Sequence, residues 1–307
     1  MEKKVEFFSK GVKLRGVLRM PKGKGPHPLL VMAGGWCYVK EIVMPTYAEH
    51  LAAVGCATLR FDYRFLGESE GEPRQHLDPW AQIEDYRNAL SFAAGLPGVD
   101  KDRLGVWGIS YSGGHALILA AIDPRVRCSI ANIPVIDGYD SMRLVHGYGK
   151  GRFAALTRLI AEDRERRARG DPGGYIPHNV PDPDKEVCTW PFTTSYAFFS
   201  GAAKTFAPNY QSRSTIESTE MLMQYYVDPY LKRIYNTPVM MLIVEGDEHT
   251  PWDMQVDAFS RIGSVRKELA VMTKGVTHIG LYAKQDLQLR AAKRNAEFVR
   301  QHLVDQE

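Results

Sequence analysis

The sequence predicts an α/β fold: a mostly parallel sheet with helices on both faces, interrupted by a helical cap. Three observations predict it. Short apolar runs at 29–33, 57–61 and 104–107 alternate with segments of helical period, as strands buried on both faces do. The alternation stops near Asp137 and resumes near Thr237, with an aromatic-rich, Pro- and Gly-interrupted stretch between. Small and polar residues that carry chemistry cluster at the carboxyl ends of the apolar runs, where open α/β sheets gather their sites. The reading divides the chain into a core, 1–136 with 237–307, and a cap, 137–236.

The elements follow in order. Alternating apolar residues around Lys10-Gly11 predict an edge hairpin over 5–9 and 12–20. A polar turn leads to the strand 29–33, which ends in Gly34-Gly35-Trp36. Helix 47–54, stopped by Gly55, precedes strand 57–61, and Trp80, Ile83, Tyr86, Leu90 and Ala94 set the helical period of 79–94. Strand 104–107, a tight turn at Ser110, a helix and strand 128–133 complete the first half. In the cap, 158–169 reads as a charged helix with a solvated face, 170–191 as a long irregular loop, and 192–207 and 215–230 as helices. Gly147 to Gly151 reads as a loop at the cap entrance. Strand 239–244, helix 252–262, strand 268–272 and a final amphipathic helix 285–303 close the chain.

Bulk properties exclude several classes. With 307 residues, 44% hydrophobic and 24% charged, the chain has the make-up of a globular protein with a large core. A net charge of +3, with basic and acidic residues interspersed, names no nucleic-acid partner. No apolar run approaches a membrane span or a signal-peptide core, so a cytoplasmic location with no membrane partner is expected. Cys37, Cys56, Cys128 and Cys188 are far apart and read as buried free thiols. No G-x-G-x-x-G follows the first strand, which removes the dinucleotide-binding reading.

The stretch from Leu104 to Ile122 is a strand, a cluster of small residues and a helix, with Ser110 at the apex. A strained turn of this kind points its middle side chain away from the backbone, which suits a nucleophile; the bland alternative is a helix-capping serine in an ordinary loop. A serine hydroxyl needs a base, and the base needs an acid to orient it. Asp247, in the turn after strand 239–244, and His278, after strand 268–272, supply both, in the order Ser, Asp, His expected of an α/β-hydrolase sheet. Glu245, Glu248 and Asp253 are rival acids, and His249 invites a metal reading with Asp247 and Asp253, set aside because no second His stands at ligand spacing. For the oxyanion hole, Tyr111 N–H at the start of the helix and Trp36 N–H, preferred over Cys37, after Gly34-Gly35 are the expected donors.

With these residues, the chain resembles the α/β-hydrolase superfamily, and within it the dienelactone-hydrolase-like and X-prolyl-dipeptidase-like serine hydrolases. The resemblance is carried by Gly34-Gly35-Trp36 with Lys40-Glu41, Phe61-Asp-Tyr-Arg64 with Gly67-Glu-Ser-Glu-Gly71, Val106-Trp-Gly-Ile-Ser-Tyr-Ser-Gly-Gly-His115, Glu245-Gly-Asp247 and Thr277-His-Ile-Gly-Leu-Tyr282. Two departures stand out: Ser112 where relatives have Gly two after the nucleophile, and Gly34 where many have His. Asp62 and Arg64 match a motif that is structural in relatives. The resemblance implies a serine hydrolase without cofactor or metal, acting on a small-molecule ester, lactone or thioester. Amide or carbon–carbon cleavage, acyl transfer and a non-catalytic receptor are the alternatives, and a homodimer stays open. Trp190, Tyr196, Phe199 and Tyr226 are expected to wall the substrate pocket from the cap.

Overall fold

The computed structural model describes residues 2–147 and 151–305. Strands β1 (Glu2–Ser9) and β2 (Val12–Arg19) form the edge hairpin. Lys10 (φ 49°) and Gly11 (φ 82°) make its two-residue turn, and positive φ at both positions matches the twist of the paired strands. Strand β3 (His27–Ala33), helix α1 (Met44–Ala53), β4 (Ala57–Phe61), α2 (Pro79–Ala94), β5 (Val99–Ile109), α3 (Tyr111–Ile122) and β6 (Val126–Asn132) follow in strict alternation. After an inserted segment come β9 (Val239–Gly246), α9 (Trp252–Arg261), β10 (Lys267–Thr277), α10 (His278–Ala283) and α11 (Gln285–Val299), which runs into a π-helical turn, Arg300–Val304.

The eight strands lie in the order β1-β2-β4-β3-β5-β6-β9-β10; β1, β2 and β4 pair antiparallel, and every later pairing is parallel. From β3 the chain crosses to β4 on one side and returns to β5 on the other. The strand order therefore reverses between β3 and β5, and the crevice beyond their carboxyl ends is the expected place for a site.

Two neighbours on β5 show how the faces are covered. Trp107 packs on Tyr47 of α1 (ring centroids 4.8 Å) and donates its indole N–H to Asn295 of α11 (2.8 Å). Gly108 points to the other face, where a Cβ would come within 1.9 Å of the Ser112 carbonyl oxygen of α3. That contact is why α3 lies so close to the sheet and is buried from Tyr111 to Ala120. Tyr86 of α2 locks the strand ends, donating to the Trp107 carbonyl (2.6 Å) and accepting from Ala33 N–H (3.0 Å). All four cysteines are buried and free.

The inserted segment holds α4 (Gly138–Gly147), α5 (Arg152–Ala168), β7 (Tyr175–Pro177), α6 (Thr193–Lys204), β8 (Arg213–Thr215), α7 (Ile216–Met223) and α8 (Asp228–Leu231). Three expectations need correction. The irregular loop 170–191 contains β7, paired antiparallel with β8. The helix expected over 215–230 is two, because the chain between them bridges back to the core: Tyr225 C=O accepts from Gly138 N–H and Val227 N–H donates to Ile136 C=O, both at 2.9 Å. The charged run of α5 is not wholly solvated. Asp163 is fully buried and accepts from Arg166 (2.9 Å), Arg167 (2.9 Å) and Gly174 N–H (2.7 Å), while Arg167 continues to Glu217 and Glu220 of α7. Of the loop expected over 147–151, residues 148–150 lie outside the described residues. Among the described residues, no helix is long and apolar enough to cross a membrane.

Candidate active site

Ser110 is the single residue between β5 and α3, held at φ 57°, ψ −119°. Such backbone strain costs about 1–3 kcal/mol and persists only where the surroundings fix it. Here they do: Ser110 N–H donates to Asn132 C=O (2.9 Å), and its own carbonyl accepts from Gly113 (2.9 Å) and Val135 (3.1 Å). Small neighbours are required, since a Cβ on Gly113 would lie 2.9 Å from both Asn132 O and Pro134 Cα. Ser112 fits because its hydroxyl is used: it donates to Gly34 C=O and lies 2.6 Å from the Tyr63 hydroxyl.

Asp247 follows β9, where its Oδ1 accepts from the N–H groups of His249 (3.0 Å) and Thr250 (2.9 Å), and its Oδ2 from Thr250 Oγ1 (2.8 Å). These bonds aim the carboxylate at His278, whose Nδ1 is 2.9 Å from Oδ1 and 3.0 Å from Oδ2. His278 opens α10, which Thr277 caps through Gly280 N–H (3.0 Å). Of the rival acids, Glu245 accepts from Lys274 N–H (2.8 Å), Glu248 lies 3.6 Å from His249 Nδ1, and Asp253 sits in the first turn of α9.

The other nitrogen of His278 has a partner that the sequence did not point to: Tyr282, one helical turn on, brings its hydroxyl to 2.7 Å from Nε2. The same hydroxyl is deeply buried, which raises its pKa far above the usual range, so it stays protonated. The available signal was the i, i+4 spacing of His278 and Tyr282, which places both on one helical face. His249 was also given no catalytic part. It stacks on His278 (centroids 4.7 Å), is sandwiched by Phe192 (3.9 Å) and bonds Ser195 Oγ through Nε2 (2.6 Å). Burial, aided by His278 and His178, holds its pKa well below the ordinary value, so it is neutral.

Asp247, His249 and His278 are the set among the described residues whose ligand atoms lie within 4.8 Å of one another. A metal ion there would have to displace either the Asp247–His278 or the Tyr282–His278 bond, because both ring nitrogens of His278 are already engaged.

The loop after β3 runs directly over Ser110. A Cβ on Gly35 would stand 3.0 Å from Ser110 Cβ and 3.3 Å from its Oγ, so any larger residue would crowd Ser110. Tyr111 is the first residue of α3, and its N–H has no acceptor inside the helix. Trp36 packs its ring edge-on against Tyr111 at 5.2 Å. Farther along the loop, buried Lys40 ties it to the chain after β4: its Nζ meets Asp62 (2.8 Å), Glu68 (2.6 Å) and Glu41 (3.0 Å), and its N–H donates to Asp62 Oδ1 (2.6 Å). Burial lowers the Lys40 pKa, but the three carboxylates outweigh it and raise the net value. Arg64 pairs with buried Asp85 (2.6 Å), a second tie in the same region.

A narrow pocket opens at Ser110 and His278. Trp36, Tyr38, Trp190, Phe199, Ile279 and Tyr282 form its apolar wall, with His178, Ser195 and His249 between them. Trp36 Nε1 and Trp190 Nε1 are buried with no acceptor among the described residues. Trp190 and Phe199 line this pocket from the inserted segment. Tyr196 and Tyr226 do not line the pocket: Ser195 and Phe199 share the inward face of α6, which turns Tyr196 outward to 37% exposure, and Tyr226 is 47% exposed where its backbone bridges to Asp137. An aromatic stripe does not by itself reveal which phase of the helix meets the site.

The sheet order, the one-residue elbow and the loops at the strand ends are those of an α/β hydrolase. The crystal structure of the α/β hydrolase GrgF from Penicillium sp. sh18 superposes with a TM-score of 0.80 at 25% identity, covering 99% of each chain. Residues 10–172 match the profile of the X-Pro dipeptidyl-peptidase (S15) family. The chain is 34% identical over 266 residues to the thiohydrolase aneE of Aspergillus aculeatus, covering 84% of this chain and 81% of that protein. It is 29% identical over 307 residues to the polyketide transferase claH of Penicillium crustosum, covering 98% and 97%. The chain therefore belongs to the S15 family of α/β hydrolases and is a hydrolase-like enzyme.

Proposed function

We propose that the protein is a serine hydrolase that cleaves a small or medium carboxylic ester, lactone or thioester through an acyl-enzyme. Ser110 attacks the carbonyl, His278 is the base that ends with the serine proton, and Asp247 orients His278 and stabilises the imidazolium. The N–H groups of Trp36 and Tyr111 hold the oxyanion. The intermediate then collapses: the bond to the alcohol or thiol breaks and His278 gives that group the proton taken from Ser110. Water, deprotonated by His278, next attacks the acyl carbon, and collapse of the second intermediate frees the acid as His278 returns the proton to Ser110. The observation that carries the reading is the strained Ser110 apex facing a buried His278 that is bonded to Asp247 at 2.9 Å.

Residues 137–236 act as the cap in this reading, since Trp190, Ser195 and Phe199 reach the pocket from that segment. The unpaired indole N–H groups of Trp36 and Trp190 favour an acyl chain with oxygen acceptors. Among the three bond types, a thioester is favoured by the likeness to a thiohydrolase. The likeness to a polyketide transferase supports a second reading on the same residues, in which an alcohol takes the acyl group instead of water. Nothing in the reading calls for a cofactor, a nucleic acid or a membrane, and the cytoplasm is the compartment it suits.

A panel of short acyl thioesters, esters and lactones, run on the wild type and on Ser110→Ala, tests the proposal. Turnover by the wild type and none above background by Ser110→Ala is expected. Equal turnover by both would overturn it.

A further inference from the structure

Hydrogen bonds hold the edges of the His278 ring, and a second histidine holds its face. Asp247 bonds Nδ1 (2.9 Å) and the Tyr282 hydroxyl bonds Nε2 (2.7 Å). Both bonds act in the plane of the imidazole, so neither opposes a tilt out of that plane. His249 does. Its ring lies nearly parallel to His278, at an interplanar angle of 18° with centroids 4.7 Å apart, and its backbone N–H donates to Asp247 Oδ1 (3.0 Å). The remaining supports of His249 come from the inserted segment. Ser195, in the first turn of α6, is bonded to Nε2 (2.6 Å), and Phe192, just before α6, stacks on the ring at 3.9 Å. Both Ser195 and His249 are buried. One side chain therefore joins α6 to the imidazole that the core presents to the pocket.

We infer that His249 is a positioning residue for the base: its ring backs His278, and Ser195 and Phe192 hold that ring, so alignment of His278 depends on the seating of α6 against the core. The inference rests on the serine-hydrolase reading. To take the Ser110 proton, Nε2 must give up its bond to Tyr282. In that step the ring keeps one edge bond, to Asp247, and the stack on His249. A tilt there would carry Nε2 out of line with Ser110, and proton transfer is steeply sensitive to such misplacement. Burial keeps His249 uncharged, so it sets no like charge against the imidazolium that forms on His278. His249 itself touches no reacting atom in this scheme; it acts through His278.

Labelling of Ser110 by a small fluorophosphonate, followed over a range of concentrations, separates the rate of the bonded step (kinact) from binding of the probe (KI). The wild type, His249→Ala, His249→Phe and Ser195→Ala are compared. The inference predicts that His249→Ala lowers kinact by about 10- to 100-fold with KI little changed, the scale of a misplaced catalytic group. His249→Phe keeps a flat ring against His278 and should label at least about fivefold faster than His249→Ala. Three results overturn the role of His249 alone: kinact of His249→Ala within about threefold of the wild type, a raised KI with kinact unchanged, or His249→Phe as slow as His249→Ala. Should His249→Ala not fold, Ser195→Ala carries the test: kinact lowered by about tenfold supports the inference, and kinact within about threefold of the wild type overturns it. A wild type that takes no label at Ser110 overturns the serine-hydrolase reading, and the role of His249 with it.

Discussion

Ser112 donates its hydroxyl to the Gly34 carbonyl, joining the helix that begins just after Ser110 to the loop that passes above it. The two departures from the family pattern in this region, Ser112 for Gly and Gly34 for His, thus meet in one hydrogen bond. Ser112→Ala leaves a buried carbonyl and the Tyr63 hydroxyl without this partner, at a cost of about 1–3 kcal/mol. Denaturant unfolding should show that loss, and kcat should fall more than KM rises, because the loop carrying the proposed oxyanion donor Trp36 loses its tie. Unchanged stability and kcat would mean that the tie contributes nothing.

Asp247→Asn keeps the size of the side chain but presents an N–H₂ where a carboxylate oriented His278. The imidazole is then free to adopt the other tautomer, and kcat should drop by about 10³–10⁴-fold. Glu248→Gln, at a neighbouring rival acid, should stay within about threefold by comparison, since Glu248 does not reach His278 Nδ1. Steady-state kinetics on the two variants separate the acids.

Three buried histidines bear on pH stability. Burial lowers the pKa of His115 and of His178 to about 3 each, and that of His249 well below its ordinary value. The unfolded chain binds protons at these residues near pH 6.5 and the folded chain does not, so stability rises with pH and is lost progressively as pH falls from about 6.5 toward 3. His115→Gln should flatten the loss by about 1 kcal/mol per pH unit between pH 6 and 5. Urea unfolding at the two pH values reads this out; an unaltered slope would mean that His115 titrates normally.

Within the inserted segment, Asp163 and Glu162 are adjacent acids with opposite surroundings. Asp163→Ala removes the buried acceptor shared by Arg166, Arg167 and Gly174 N–H and should cost about 1–3 kcal/mol, while Glu162→Ala on the exposed face should stay within about 0.5 kcal/mol. Thermal denaturation of the pair checks this.

Phe199→Ala enlarges the pocket, and Tyr196→Ala does not touch it. The first should shift chain-length preference toward longer acyl groups, and the second should leave it unaltered. A ladder of acyl chain lengths measures both.

The strands, their order of alternation and the loops bearing Ser110, Asp247 and His278 were legible because each is written in a short local string: an apolar run, then small or polar residues. The roles of Tyr282, His249 and Ser195 were not, because they depend on how α6 and α10 converge over the sheet. Asp163 shows the same limit. Its charge run reads as solvated until α7 is seen to supply the facing carboxylates for Arg167. Tyr196 and Phe199 were both named as pocket residues, and only the register of α6 on the core separates them.

The central claim is that Ser110 is a nucleophile activated by the groups around it. Treating the intact protein with a fluorophosphonate and locating the adduct by peptide mass spectrometry tests it most directly. The account predicts a single adduct on Ser110 that is absent from Ser110→Ala; no adduct, or one that persists in Ser110→Ala, would contradict it.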